Sequence, residues 1–301
     1  MNETYLTPHA VEQSIKDAAK MQFQNGSKTS ISDLIQQEYR NRFLSRVFSS
    51  GSANWVLKGG TGILARIPDA RMTIDIDLLS KFGNIDRSLS DLTKCAEIDL
   101  YDFFQFNYAG HIEIGRGENQ PNTVGYRVSF DIYIGQSQKG KMHIDLVEGG
   151  IITDEIVENF PIEQLDLPKL KSYPYRLYPI VDQIADKICA ICETHNASAS
   201  SRVKDLIDIV EFITRFDISG NKLMVAVKSE ALNRFLPLPL ELPIPESWRV
   251  RYEKIAKSTP AVQGYTEFNE AITLVDKFIN PILSATNINA LWRNKSLCWG
   301  D

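Results

Sequence analysis

Asp75 and Asp77 stand one residue apart in Arg71-Met72-Thr73-Ile74-Asp75-Ile76-Asp77-Leu78, a stretch otherwise composed like a buried β-strand. Residues i and i+2 of a strand share a face, so the pattern predicts two carboxylates side by side. Ile74, Ile76 and Leu78 then fall on the opposite, buried face. Paired carboxylates repel each other and lose hydration, which is unfavourable unless a cation lies between them. Mg²⁺ or Mn²⁺, hard cations that take oxygen ligands, meet that need. A third carboxylate would complete a two-metal site suited to in-line displacement at phosphorus. Asp145, in Met142-His143-Ile144-Asp145-Leu146-Val147, is the preferred third acid and metal ligand. Asp131, in Val128-Ser129-Phe130-Asp131-Ile132, is its rival, placed second on the expectation that it lies nearer a strand end. The competing reading, an exposed strand face that happens to be acidic, is disfavoured because like charges on one face are destabilising.

Upstream, Lys58-Gly59-Gly60-Thr61 follows the apolar run Trp55-Val56-Leu57. Paired glycines let a backbone approach a ligand closely, and N–H groups at a helix start attract anions. A triphosphate fits that environment, with Thr61 expected to cap the helix or touch a phosphate. The segment lacks the spacing of a P-loop and the GxGxxG of dinucleotide folds, so it gains meaning only beside the aspartates. Thr73 is expected to share the strand face of Asp75 and to turn its hydroxyl into the same site.

These residues need elements to hold them. Thr7-Pro8 starts a first helix, Asn25-Gly26-Ser27 breaks it, and Ser32-Asp33 starts a second with Ile31, Leu34, Ile35, Phe43, Leu44 and Val47 on one face. Residues 53–80 read as strand, turn, short helix and strand. Strand-like runs follow at 101–108, 110–116, 124–134 and 141–148, with 135–140 as a hairpin loop. From about residue 179 the period changes to 3.6. Ile180, Ile184, Ile188 and Ile191 form one stripe, and Val203, Leu206, Ile207, Val210 and Ile213 form another after the polar loop 196–201. The proline-rich 237–245 segment reads as an extended connector, and residues 246–295 return to helical patterning. The fold class is therefore α+β: a small α/β core, a helical N-terminal extension and a helical C-terminal half. The expected domains are 1–175, the N-terminal helices plus core, and 176–301, the helical part.

Composition narrows the function classes. The chain has 301 residues, 43% hydrophobic and 24% charged, which excludes disorder. A net charge of −5 excludes a surface that is basic throughout, so any nucleic-acid contact needs a local patch. There is no long apolar run to span a membrane, and Met1 to Tyr5 lack the pattern of a secretion signal, so a cytoplasmic location is expected. The four cysteines do not make a disulfide framework, and Cys189-x-x-Cys192 lies inside a helical apolar pattern that favours packing over zinc. The histidines suggest no catalytic pairing, although His143 could line a pocket beside Asp145.

Lys58-Gly59-Gly60-Thr61 and Arg71-x-Thr73-x-Asp75-Ile76-Asp77-Leu78 are followed by Lys187 and by Arg202-Val203-Lys204-Asp205-Leu206-Ile207-Asp208. Across residues 55 to 215 these blocks resemble the nucleotidyltransferase-like toxins of the AbiEii/AbiGii family, which includes the mycobacterial MenA-type toxins. The resemblance implies a minimal polymerase-β-like nucleotidyltransferase core that uses a nucleoside triphosphate and a divalent cation. It further implies an RNA 3′ end as acceptor, most plausibly tRNA, growth inhibition, and a cognate antitoxin that could act by phosphorylating Thr73. The residues themselves agree. Lys187 lies at the edge of the Ile184/Ile188/Ile191 stripe, Asp205 and Asp208 are i, i+3 neighbours, and Lys204 and Asp208 are i, i+4 partners. Lys187 and Arg71 are expected to offset phosphate charge, and Asp205 to orient a lysine or assist proton transfer. Asp145 is expected to help activate the acceptor hydroxyl. Lys169, Lys171, Arg176, Arg202 and Lys204 could supply a basic patch for RNA. The alternatives are transfer to a protein or small molecule, and nucleotide binding without turnover.

Overall fold

The computed structural model describes residues 4–114, 124–193, 202–284 and 289–300. Helix α1 (Pro8–Gln24) begins where Thr7 accepts a hydrogen bond from the Ala10 N–H at 3.2 Å, with proline in the first turn. Helix α2 (Ile31–Ser49) starts earlier than Ser32-Asp33, because the Ser30 hydroxyl accepts from the Asp33 N–H at 3.1 Å and so caps the first turn. Then follow β1 (Trp55–Lys58), α3 (Gly59–Leu64), β2 (Ile76–Ser80), α4 (Ile85–Ala96), β3 (Phe104–Ile114), β4 (Val124–Ile134) and β5 (Ser137–Glu148). Two short strands, β6 (Val157–Asn159) and β7 (Tyr175–Leu177), complete a seven-stranded mixed sheet of order β3-β4-β5-β2-β1-β7-β6. Its β2/β5 and β1/β7 pairs are parallel and the others antiparallel.

The sheet differs from the sequence reading in three places. The runs 101–108 and 110–116 belong to one strand, with a bulge between Tyr108 and Gly110; residues 115 and 116 lie outside the described residues. The 135–140 loop is shorter, because Ser137 to Gly140 pair with β4 and Gly135 makes the turn at φ +58°. Most important for the site, β2 begins only at Ile76. Its partner β1 ends at Lys58 opposite Asp77, so Asp75 stands in a bend before the strand. Ile74 consequently lies 76% exposed instead of buried, whereas Ile76 and Leu78 are fully buried.

The helical part comprises α5 (Ile180–Cys192), α6 (Val203–Arg215), α7 (Gly220–Asn233), α8 (Arg249–Lys257) and α9 (Phe268–Leu283). Residues 236–245 form neither helix nor strand, consistent with their prolines. The chain does not stay helical to residue 295: β8 (Ile218–Ser219), β9 (Leu291–Arg293) and β10 (Cys298–Gly300) form a small sheet, with Trp292 fully buried. Tyr175, the expected last residue of the first domain, opens β7, and the helices begin at Ile180.

Two cores hold these layers. Phe43, Trp55, Val128, Phe130 and Ile144 join α2 to one sheet face; Ile184, Leu206, Phe212, Val275 and Phe278 join the helices. Each such fully buried side chain contributes about 1.5–3 kcal/mol. Ile63 and Leu64 of α3 pack into the helical core, so the glycine turn is clamped between both parts. Cys189 and Cys192 pack as expected, their thiols directed at the carbonyls of Val227 and Glu241, and burial pushes the Cys192 thiol up to about 12. Among the described residues no helix is long and apolar enough to cross a membrane.

Candidate active site

The sheet register assembles a row of charges across four strands. Lys58 on β1 lies opposite Asp77 on β2, Asp77 lies beside Asp145 on β5, and Asp145 lies opposite Arg127 on β4. In-register neighbours share a face and stand about 4.8 Å apart, so two carboxylates are flanked by two cations. Lys58, Asp77 and Asp145 of this row form one wall of a cleft of about 540 Å³. The helices form the facing wall, and Lys58, Gly59, Gly60, Arg71, Thr73, Asp75, Asp77, Asp145, Lys187, Arg202, Lys204, Asp205 and Asp208 all line it. Segments far apart in sequence, the glycine turn, the aspartate pair and the Lys187 and Arg202-to-Asp208 blocks, are thus brought to one place.

The glycines are required by contact as well as by conformation. Gly59 has φ +62°, and a β-carbon there would lie 1.8 Å from Asp77 Oδ2. A β-carbon on Gly60 would lie 2.9 Å from that of Thr73. The turn therefore runs against the two side chains whose placement matters. Gln183 on α5 fixes it from the other side, its amide donating to the Gly59 carbonyl at 2.7 Å. Thr61 departs from expectation. Its buried hydroxyl donates to the Asp75 carbonyl at 2.8 Å, so it holds the bend that carries Asp75, and Thr61 is not among the residues that line the cleft.

Burial pushes the Asp77 carboxyl up to about 7, with Asp145 and then Asp75 adding to the effect against Lys58 and Lys187. Asp145 is engaged: the Arg127 guanidinium donates to both its oxygens, each at 2.7 Å. Among the described residues no three carboxylate, imidazole or thiolate groups are gathered into a closed ligand set. The donor chemistry nonetheless suits a hard divalent cation. Three aspartates line one cleft, and the ionisation of Asp77 is suppressed by burial and then by the other two, a cost that a cation relieves.

The second block forms a chain of ion pairs. Asp208, almost fully buried, accepts from Arg71 at 2.9 and 3.1 Å and from Lys187 at 2.6 Å. Lys187 also donates to Asp205 at 3.0 Å, and Arg202 lies 3.6 Å from Asp205. Burial alone would lower the Lys187 ammonium, but Asp208 and Asp205 hold it above the usual lysine value. Burial likewise opposes the Asp208 carboxylate, which Lys187 and Arg71 keep below the usual range. Arg71, expected at a phosphate, gives its fork to Asp208 and its backbone N–H to buried Glu211 at 2.6 Å. Asp208 takes its ion pairs from Arg71 and Lys187, rather than from the expected i, i+4 partner Lys204.

Several residues in or next to the cleft escaped the sequence reading. Asp186 lies 3.7 Å from Lys58 and 2.6 Å from Arg234, and these cations hold it down to about 2 against the effect of burial. Arg234 also binds Glu193 and Glu230, at 2.8 and 2.6 Å. Glu211 is pushed up to about 8 by burial and by Asp208. Asp186 had one available signal, its place next to Lys187. Arg127 had none, because only strand register places it on Asp145.

Other expectations fall away from the cleft. Asp131 shares the sheet face of Arg127 but lies farther along β4, 3.7 Å from Lys141. His143 is within hydrogen-bond distance of Ser129 at 3.0 Å, and His111 packs against Tyr126; His195 and the loop 196–201 lie outside the described residues. Of the proposed basic patch, Arg202 and Lys204 line the cleft. Lys169 lies over the Tyr5 ring, Lys171 adjoins Arg42, and Arg176 pairs with Glu158 on β6, so these three do not.

The family described as nucleotidyl transferase AbiEii toxin, Type IV TA system, matches residues 42–273, a span that contains every residue of the two motif blocks. No curated protein matches the chain. Among solved structures, similarity extends to MenT4, a nucleotidyltransferase toxin from Mycobacterium tuberculosis, at 12% identity and TM-score 0.49 over 94% of this chain and 99% of that one. JHP933 from Helicobacter pylori is similar at 13% identity and TM-score 0.44, over 86% and 94% of the respective chains.

Proposed function

Given that the chain belongs to the AbiEii family of nucleotidyltransferase toxins of type IV toxin–antitoxin systems, we propose that its cleft transfers a nucleoside monophosphate from a triphosphate to an RNA 3′ end, with tRNA the preferred acceptor. The observation that carries this reading is the in-register pair Asp77 and Asp145 facing Lys187 across one cleft. Asp75, Asp77 and Asp145 would hold Mg²⁺ or Mn²⁺, which when bound neutralises triphosphate charge and favours in-line attack. Gly59 and Gly60 admit the phosphates close to the backbone, and Lys58, Arg202 and Lys204 offset their charge. Asp205 and Asp208 fix the Lys187 ammonium at the cleft wall, where it balances charge on the leaving pyrophosphate. Arg71 acts through Asp208, as a positioning residue. Asp145 takes up the proton of the acceptor hydroxyl as its oxygen bonds to the α-phosphorus.

Thr73 lines the cleft beside the aspartates, so a phosphate placed there by a cognate antitoxin would repel the substrate. Each labelled nucleoside triphosphate, offered separately with total RNA or total protein, tests the proposal. Wild type is expected to label RNA, and the Asp75→Ala/Asp77→Ala variant to label nothing. Label confined to protein or a small molecule overturns the RNA acceptor. No labelling, with equal toxicity of wild type and variant, overturns turnover altogether.

A further inference from the structure

Arg127 lines neither the glycine turn nor the helical wall, yet it holds the third aspartate of the proposed site. Its Nε and one terminal nitrogen donate to the two oxygens of Asp145, each at 2.7 Å. The pair is in register between β4 and β5, so no backbone change is needed to form or break it. A guanidinium fork takes the same carboxylate edge through which a divalent ion binds. The two ligands of Asp145 therefore compete. Asp77, its neighbour in the row, has no such fork: the Lys58 ammonium lies 3.7 Å from Asp186.

The exposure of Arg127 determines that the contest is reversible. Its side chain is 43% exposed, and that of Asp145 is 19% exposed. The fold also contains a contrasting pair of arginines. Arg42 and Arg46 bind Asp102 at 3.0 and 2.6 Å with all three side chains about 1% exposed. Releasing either of those would strand a buried charge, whereas Arg127 can swing into water when Asp145 leaves it.

We infer that Arg127 is the built-in competitor of the divalent cation for Asp145, and that it sets the cation concentration at which the three-aspartate site closes. This rests on Asp145 being a ligand of that cation, and the two statements are separable by experiment. Mn²⁺ binding to the full chain is measured by the paramagnetic resonance of free Mn²⁺ for wild type, Arg127→Gln, Arg127→Lys, Asp145→Asn and the Arg127→Gln/Asp145→Asn double variant, each checked by thermal melting. Breaking an exposed fork should tighten Mn²⁺ binding about fivefold in Arg127→Gln. Arg127→Lys, which keeps the charge but loses the fork, should lie between it and wild type. The gain should vanish in the double variant, because it runs through Asp145. Unchanged or weaker binding by Arg127→Gln overturns the inference, as does a gain that survives Asp145→Asn, which would mark Arg127 as an unspecific positive charge. If Asp145→Asn binds Mn²⁺ as wild type does, it is the ligand assignment that falls.

Discussion

Asp77 carries a carboxyl whose charge depends on where the fold puts it. Burial and then Asp145 push it up to about 7 from an ordinary value of 3.8. Between those values the native chain binds a proton that the unfolded chain releases. Asp77 therefore favours the folded state at low pH, and that contribution is lost progressively as pH rises from about 4 through about 7. Asp77→Asn removes the dependence. At pH 8, without divalent cations, the variant should melt on the order of 10 °C above wild type, and the difference should disappear near pH 4. Equal melting temperatures at pH 8 would show that Asp77 ionises freely. Cation binding needs the ionised form, so nucleotidyl transfer should rise with pH through about 7, and added Mg²⁺ should move that rise to lower pH. The two aspartates were legible from spacing alone. The raised carboxyl of Asp77 was not, because it depends on burial and on a neighbour on β5 far along the chain.

At the scale of elements, the glycine turn is where local sequence and site geometry meet. Gly59→Ala faces a left-handed backbone penalty of about 1–2 kcal/mol, and its β-carbon would collide with the Asp77 carboxylate. Circular dichroism should show the fold retained, while displacement of Asp77 lowers transfer on the order of 100-fold. Activity within a few-fold of wild type would mean that Asp77 needs no fixed position. The strand–turn–helix–strand order was readable, since Trp55-Val56-Leu57, the glycines and the Ile76/Leu78 alternation are local signals. The start of β2 was not. Arg71 to Asp75 have strand composition, but β1 ends at Lys58 and Thr61 draws the Asp75 carbonyl into a bend. Pairing overrode propensity there. The β8-β9-β10 sheet was missed because its strands are only two or three residues long and β8 is distant in sequence from the paired β9 and β10.

At the scale of the molecule, Asp208 joins the sheet side to the helical side through Arg71 and Lys187. Asp208→Asn leaves both cations poorly compensated in a buried setting and should cost about 3–5 kcal/mol of stability, measured by urea unfolding. Lys204→Ala, at the cleft rim, should stay within about 0.5 kcal/mol. Similar losses in the two variants would show that the ion-pair chain is not a structural tie. By itself the sequence determined which residue types could do the chemistry, the strand–turn–helix–strand order around the glycines and aspartates, and the change from sheet to helix near residue 179. These follow from spacing, periodicity and turn residues, which act over a few positions. Only the tertiary structure decided the partners: Asp145 beside Asp77 in place of Asp131, Arg127 on Asp145, Arg71 on Asp208 and Thr61 on the Asp75 backbone. Each of those is a contact between distant segments, set by strand register and by the packing of two cores, which no local pattern encodes.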